Sequence, residues 1–134
     1  MRYLLDTNVF IAAMKGVDAV RMRLEQVTAS DLVVSPVVLG ELELGVRKSA
    51  QPAANRKRLA SVLAQLAIEP INALVAQSYG EIRADLEATG QPIGANDIWI
   101  AAQAQSLGAT LVTDNTREFS RVNALRLENW LRPA

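Results

Sequence analysis

The chain contains no cysteine and no histidine. Without cysteine there are no disulfides and no thiolate metal sites, which agrees with a reducing compartment. Without imidazole, His-based acid–base cleavage of RNA, Ser-His-Asp triads and His-ligated zinc are excluded. Aromatic residues make up only 4% of the 134 residues, so few side chains are available to stack on bases; Tyr3, Tyr79, Trp99 and Trp130 are all candidates for the core. Charge of one sign is not in excess either. Lys and Arg number 14, as do Asp and Glu, so a whole-chain electrostatic grip on nucleic acid is not indicated and only a local basic patch could serve. No run is both long and apolar enough to span a bilayer, since residues 98–113 are interrupted by Gln103, Gln105 and Ser106. Asp6 comes too early for a secretory signal. The expectation is a soluble cytoplasmic protein with no membrane partner.

Half of the residues are apolar, and the length fits a single domain, residues 1–134, with a real core. Residues 2–6 read as a short buried strand, with Thr7 or Asn8 capping a helix over 9–14 that Gly16 ends. A second helix is expected over 18–27, and a strand over 32–34. Ser35-Pro36 is a strong helix start, a cap residue followed by proline in the first turn, and that helix runs to about Lys48. Further helices are expected over 53–66, from the Asn72 cap to about Ala88, and over 97–107. Residues 68–71 make a candidate strand broken by Pro70. Gly90, Pro92 and Gly94 place 89–96 in a loop. Strands are expected over 109–113 and 125–128. Short continuous apolar strands alternating with helices argue for an α/β fold with a mostly parallel sheet covered on both faces.

Four acids then stand out: Asp6, Glu41, Asp97 and Asp114. In open parallel sheets the functional crevice lies at the carboxyl ends of the strands, where Asp6 and Asp114 both fall. Each also has a plain explanation as a helix cap. Glu41 sits between Val37, Val38, Leu44 and Gly45 at helical spacing. An unpaired carboxylate there costs several kcal/mol on the order of the usual desolvation penalty, so its plain alternative is a buried pair with a distant Arg. Glu43 lies on the other side of that helix and is expected to pair with Arg47. Asp97 opens the helix after the glycine-rich loop, where a first-turn acid is equally ordinary.

Clustered carboxylates repel one another, and without a cation some take up protons. Hard divalent cations prefer oxygen ligands and remove that conflict. With no imidazole or thiolate in the chain, magnesium is favoured over zinc, with manganese as a substitute. Such a site suits metal-assisted phosphodiester hydrolysis.

These motifs resemble PIN-domain proteins. Leu4-Leu5-Asp6-Thr7-Asn8 is similar to the opening of that family, and Ser35 to Gly45 to the segment around its second acid. Pro92-Ile93-Gly94-Ala95-Asn96-Asp97 with Ile100-Ala101-Ala102 resembles the third. The fourth is matched by Leu111-Val112-Thr113-Asp114-Asn115 with Arg117-Glu118-Phe119, and the tail by Leu127-Glu128-Asn129-Trp130. The resemblance spans nearly the full chain and comes nearest to the VapC toxins of bacterial toxin–antitoxin pairs. It implies a PIN-like three-layer α/β/α fold and a magnesium-dependent endoribonuclease that leaves a 5′-phosphate on structured RNA, transfer or ribosomal. It assigns catalysis and metal binding to Asp6, Glu41, Asp97 and Asp114, with Thr7, Asn8, Thr113 and Asn115 holding carboxylates or water. It also implies a homodimer silenced by a cognate antitoxin, in a heterotetramer or larger assembly. One departure is Asn96, where such sequences often carry an aromatic residue.

Arg47, Lys48, Arg56, Lys57 and Arg58 gather around the turn at Pro52 and are candidate RNA contacts, with a solvated hairpin as the plain alternative. Arg117, Arg121 and Arg126 form a second candidate. Apolar helices such as 53–66 could pack on an antitoxin or a second protomer instead of the core. Rival readings are a PIN-like nuclease outside a toxin–antitoxin system, a phospho-acceptor domain, and a catalytically silent PIN-like binding module. The phospho-acceptor reading needs an acidic pair by the first strand and a late lysine, and no lysine follows Lys57.

Overall fold

The structure, a computed structural model, describes residues 1–132. Five parallel strands form one sheet: β1 (Tyr3–Leu5), β2 (Leu32–Val34), β3 (Ala67–Ile68), β4 (Thr110–Val112) and β5 (Leu127–Glu128), in the order β3-β2-β1-β4-β5. The strands are short because apolar runs are short. Consecutive residues are buried in β2 and β4, and in Leu4-Leu5 of β1, so helices cover both faces of the sheet centre. The chain order reverses between β1 and β4, which opens a crevice at their carboxyl ends.

Seven α-helices connect the strands among the described residues: α1 (Thr7–Met14), α2 (Asp18–Leu24), α3 (Pro36–Lys48), α4 (Pro52–Leu63), α5 (Ala73–Ala88), α6 (Ala95–Ser106) and α7 (Thr116–Phe119). Helices α1, α3 and α4 pack on one another, and α5 packs along α6. Ser35 Oγ caps α3 through the Val37 N–H, and Asn72 Oδ1 caps α5 through the Val75 N–H, both at the expected places. Trp130 and Phe119 are fully buried and anchor the last strand and α7 to the core. None of the described helices is long and apolar enough to cross a membrane.

Several boundaries differ from expectation. Asp6 itself caps α1, whose first residue is Thr7, so neither Thr7 nor Asn8 is the cap. Helix α2 stops at Leu24 and α4 at Leu63, short of residues 27 and 66. β3 is only two residues long, and Pro70 lies beyond it. Helix α6 begins at Ala95, inside the expected loop, with Gly94 at its cap. Helix α7 was not foreseen. Gln103 does more than interrupt an apolar run. It is fully buried, and its Nε2 donates to the Glu69 backbone oxygen at 2.8 Å, tying α6 to the chain just after β3.

Candidate active site

The site assembles at the β1–β4 crevice. Asp6 follows β1 directly. Its backbone N–H continues the ladder to the Val112 oxygen at 2.9 Å, and its own carbonyl receives the Phe10 N–H of α1. One residue therefore ends a strand and starts a helix, which fixes its side chain at the mouth of the sheet. Both carboxylate oxygens are engaged: Oδ1 accepts the Thr7 N–H at 2.9 Å, and Oδ2 accepts the Thr113 hydroxyl at 2.8 Å. Asp6 is 8% exposed and Thr113 fully buried, so this link between the two strand ends is shielded from water. The plain reading of Asp6 as a cap is therefore correct, and the same carboxylate lies at the mouth of the crevice.

Glu41 comes from α3. The buried line on that helix is Val38, Leu42 and Val46, four residues apart. This corrects the expected stripe, since Leu44 is 53% exposed. Glu41 is half-buried at the edge of the line and accepts the Thr7 hydroxyl at 3.0 Å. Thr7 thus holds Asp6 with its amide and Glu41 with its side chain. Glu43 pairs with Arg56 of α4 at 3.0 Å, not with Arg47 on its own helix.

Asp97 lies in the first turn of α6, half-buried. Its carboxyl is pushed up to about 6, first by burial and then by the negative charges of Asp6, Glu41 and Glu118. A first-turn position on a helix favours the ionised form, so the shift means that burial and the neighbouring acids prevail. Gly94 borders this carboxylate: a Cβ there would stand 3.9 Å from Asp97 Oδ2, an ordinary contact.

The third acid acting on Asp97 is Glu118. It is held by the Asn115 side-chain amide at 2.8 Å, while the Asn115 backbone N–H donates to Thr113 Oγ1 at 3.0 Å. A signal for it was present in the sequence: Asn115 and Glu118 have the cap-to-third-residue spacing of a helix start. Asp114 is not among the acids that raise Asp97. Its Oδ1 accepts from Asn129 Nδ2 and Arg132 Nε, both at 3.0 Å. Its other oxygen accepts no hydrogen bond among the described residues. Of the flanking polar residues, Thr7, Thr113 and Asn115 all bind a carboxylate or its support, and Asn8 is exposed.

The donor set is carboxylate and hydroxyl oxygen throughout. Among the described residues no three acids stand close enough to cage an ion outright. Oxygen donors of this kind suit a hard divalent cation rather than a soft one.

The cationic candidates separate. Arg56 is committed to Glu43, whereas Arg58 lines a cavity beside Glu41. Arg47, Lys48 and Lys57 are exposed. In the second candidate patch Arg121 donates to the Pro92 oxygen and Arg126 to the Gly108 oxygen. Tyr79 and Trp99 stack on each other at 4.0 Å, and Tyr3 packs against Trp130 at 5.4 Å.

The chain matches the PIN domain family over residues 3–125. It is 41% identical over 132 residues to Ribonuclease VapC2 of Rickettsia felis, covering 97% of this chain and 98% of that protein. It is 35% identical over 130 residues to the tRNA(fMet)-specific endonuclease VapC of Shigella flexneri, covering 97% and 98%. Its fold is similar to that in the crystal structure of VapBC2 from Rickettsia felis bound to a DNA fragment from their promoter. The TM-score is 0.90 at 40% identity, over 97% of this chain and 99% of that one.

Proposed function

The chain belongs to the PIN-domain family, and from that premise we propose that it is a magnesium-dependent endoribonuclease toxin neutralised by a cognate antitoxin. The observation that carries the proposal is the Asp97 carboxyl, raised to about 6 by burial and by three neighbouring acids, in a chain with no imidazole or thiol to do other chemistry. The relatives named ribonucleases and a tRNA-specific endonuclease support RNA as the substrate, with structured RNA such as transfer RNA, or ribosomal RNA, as its class. The VapBC complex among the structural relatives supports the antitoxin partner. We place the activity in one PIN-like domain over residues 1–134, acting as a homodimer.

Asp6, Glu41 and Asp97 supply the inner carboxylates, and Asp114 joins from the rim through its unengaged oxygen. Glu118 adds a further acid that sequence reasoning missed. When bound, magnesium supplies water activation and charge stabilisation to phosphodiester hydrolysis, and manganese can substitute. Asp6 cannot rotate freely, because the Thr7 amide and Thr113 hydroxyl hold one oxygen each. Thr7 fixes Glu41 to the same centre, which keeps α1 and α3 in register at the crevice. Asp97 is the group that exchanges a proton with solvent as the site loads.

The test is cleavage of total cellular RNA by antitoxin-free protein in magnesium, manganese or EDTA, beside Asp97→Asn. Discrete fragments that need metal and are absent from the variant are expected. Fragments that persist in EDTA or in the variant would remove the metal-site reading.

A further inference from the structure

A cavity of ≈ 310 Å³ opens between α1, α3 and α4, with Glu41 on its wall. Its volume falls at the lower end of small-ligand pockets. Ile11, Met14, Leu42 and Leu59 give it apolar sides. Three polar side chains face it as well: Lys15, Asn55 and Arg58. None of the three has an ion pair or a side-chain hydrogen bond among the described residues, whereas neighbouring Arg56 is bound to Glu43. Both cations are exposed, as Arg47, Lys48 and Lys57 are, and these two border the cavity, which places positive charge beside Glu41.

Gly45 adds to the openness of this wall, although helical Gly40 and Gly80 likewise meet nothing within 4 Å. It lies within α3 on the cavity wall, at an ordinary helical φ, and a Cβ there would meet nothing within 4 Å. Neither backbone geometry nor packing requires glycine at this position. Glycine is the poorest helix former after proline, so it weakens α3. Its effect on the molecule is to leave the cavity open next to Glu41.

We propose that this cavity is a nucleotide subsite, taking one unstacked base of the RNA beside the cleaved bond while Lys15 and Arg58 hold the flanking phosphates. This inference rests on the ribonuclease reading of the adjoining acids. A base is flat with apolar faces, which suits walls of Met and Leu. Its edge carries donors and acceptors, which suits the Asn55 amide. Single-stranded segments offer such splayed bases, and proteins that read RNA commonly take them out of the stack. The subsite also answers an electrostatic problem. Phosphates approaching the carboxylates are repelled, and two cations at the neighbouring wall offset that repulsion at the point of entry.

The experiment uses an RNA stem-loop carrying 4-thiouridine in its loop, mixed with the protein in EDTA so that it stays uncut, then irradiated. Cross-links to Met14, Leu42, Asn55 or Leu59 are expected. In parallel, Gly45→Leu places an apolar side chain on the cavity wall, where its Cβ meets nothing within 4 Å. It should weaken RNA binding about tenfold, the value of one stacked base, while manganese affinity and melting temperature do not fall. Lys15→Gln with Arg58→Gln should flatten the dependence of log affinity on log salt by about 0.7 for each phosphate that is no longer held. Cross-links found only elsewhere, or Gly45→Leu binding RNA as the parent does, would overturn the subsite. So would a Gly45→Leu protein that binds RNA normally but loses purified antitoxin, because the cavity would then belong to a protein partner. If the parent neither binds manganese nor cleaves RNA, the ribonuclease reading fails instead, and the cross-links still report whether RNA enters the cavity.

Discussion

The edges of the sheet and its centre treat acids in opposite ways. Beside β3, Glu69 lies 2.6 Å from Arg2. In β5, Glu128 accepts from Arg23 at 2.8 Å and from the Trp130 indole at 3.0 Å, with the Arg23 guanidinium over the Trp130 ring. At the centre, Asp6, Glu41, Asp97 and Glu118 have no cationic partner among the described residues. Asp6, Glu41 and Glu118 accept only hydroxyl and amide hydrogens, from Thr7, Thr113 and Asn115. The edge acids hold the fold together. The central acids oppose it, because each adds charge that the others must tolerate. A fold keeps such a group only if something else is gained, and proteins commonly give up stability at the site that works.

The largest break in this comparison comes from Asp97→Asn. On the proposed metal-site reading, losing this carboxylate should lower cleavage on the order of a thousandfold or more, as loss of several kcal/mol of charge stabilisation requires. Single-turnover RNA cleavage would show it. The same substitution should stabilise the protein in EDTA. The Asp97 pKa is raised from 3.8 to about 6 in the fold, so the folded chain binds this proton more tightly than the unfolded one. Stability therefore falls as pH rises across that window, and the loss is complete above it. For a partly exposed group the screened cost is roughly 1–2 kcal/mol. Denaturant melts at pH 5 and pH 7.5, parent against Asp97→Asn, measure it; a variant less stable at the higher pH would contradict the central strain.

At the edge the signs reverse. Glu128→Gln should cost about 1 kcal/mol of stability, since it weakens a half-exposed charged contact and keeps the acceptor for Trp130. Manganese affinity should not change. Between the regions stand Glu118 and Asp114, four residues apart and differently engaged. Glu118 belongs to the field at Asp97, and Asp114 is held by Arg132. Glu118→Gln should therefore lower the Asp97 pKa, read by NMR titration of the side-chain carboxyl, and Asp114→Asn should leave it nearly in place. An equal shift in both would place Asp114 inside the cluster. The smallest effect is expected of Glu43→Gln. Its ion pair with Arg56 is half-exposed, so cleavage stays unchanged and stability moves by about 0.5 kcal/mol or less.

Local rules carried the sequence reading as far as local physics reaches. Apolar runs marked β2 and the centre of β4, and Ser35-Pro36 and Asn72 marked the starts of α3 and α5. The strand ends placed Asp6 at the crevice. Beyond that, tertiary packing decides. Helix α7 is four residues long and depends on burying Phe119, so no periodic pattern announces it. The start of α6 was hidden by Gly94 and Asn96, whose composition reads as loop. The partner of Glu43 lies across a helix hairpin, which i,i+4 spacing cannot foresee. The phase of α3 was misjudged because Leu44 looks like core and is left in water. Glu118 sits on the short helix α7, so its closeness to Asp97 is likewise set by tertiary packing.

The most direct measurement is manganese binding, followed by electron paramagnetic resonance, for the parent and for Asp97→Asn at pH 5 and pH 7.5. The account predicts binding by the parent that weakens as Asp97 takes up its proton near pH 6, and little binding by the variant at either pH. Equal binding by both proteins, with no dependence on pH, would contradict a metal centre built around Asp97.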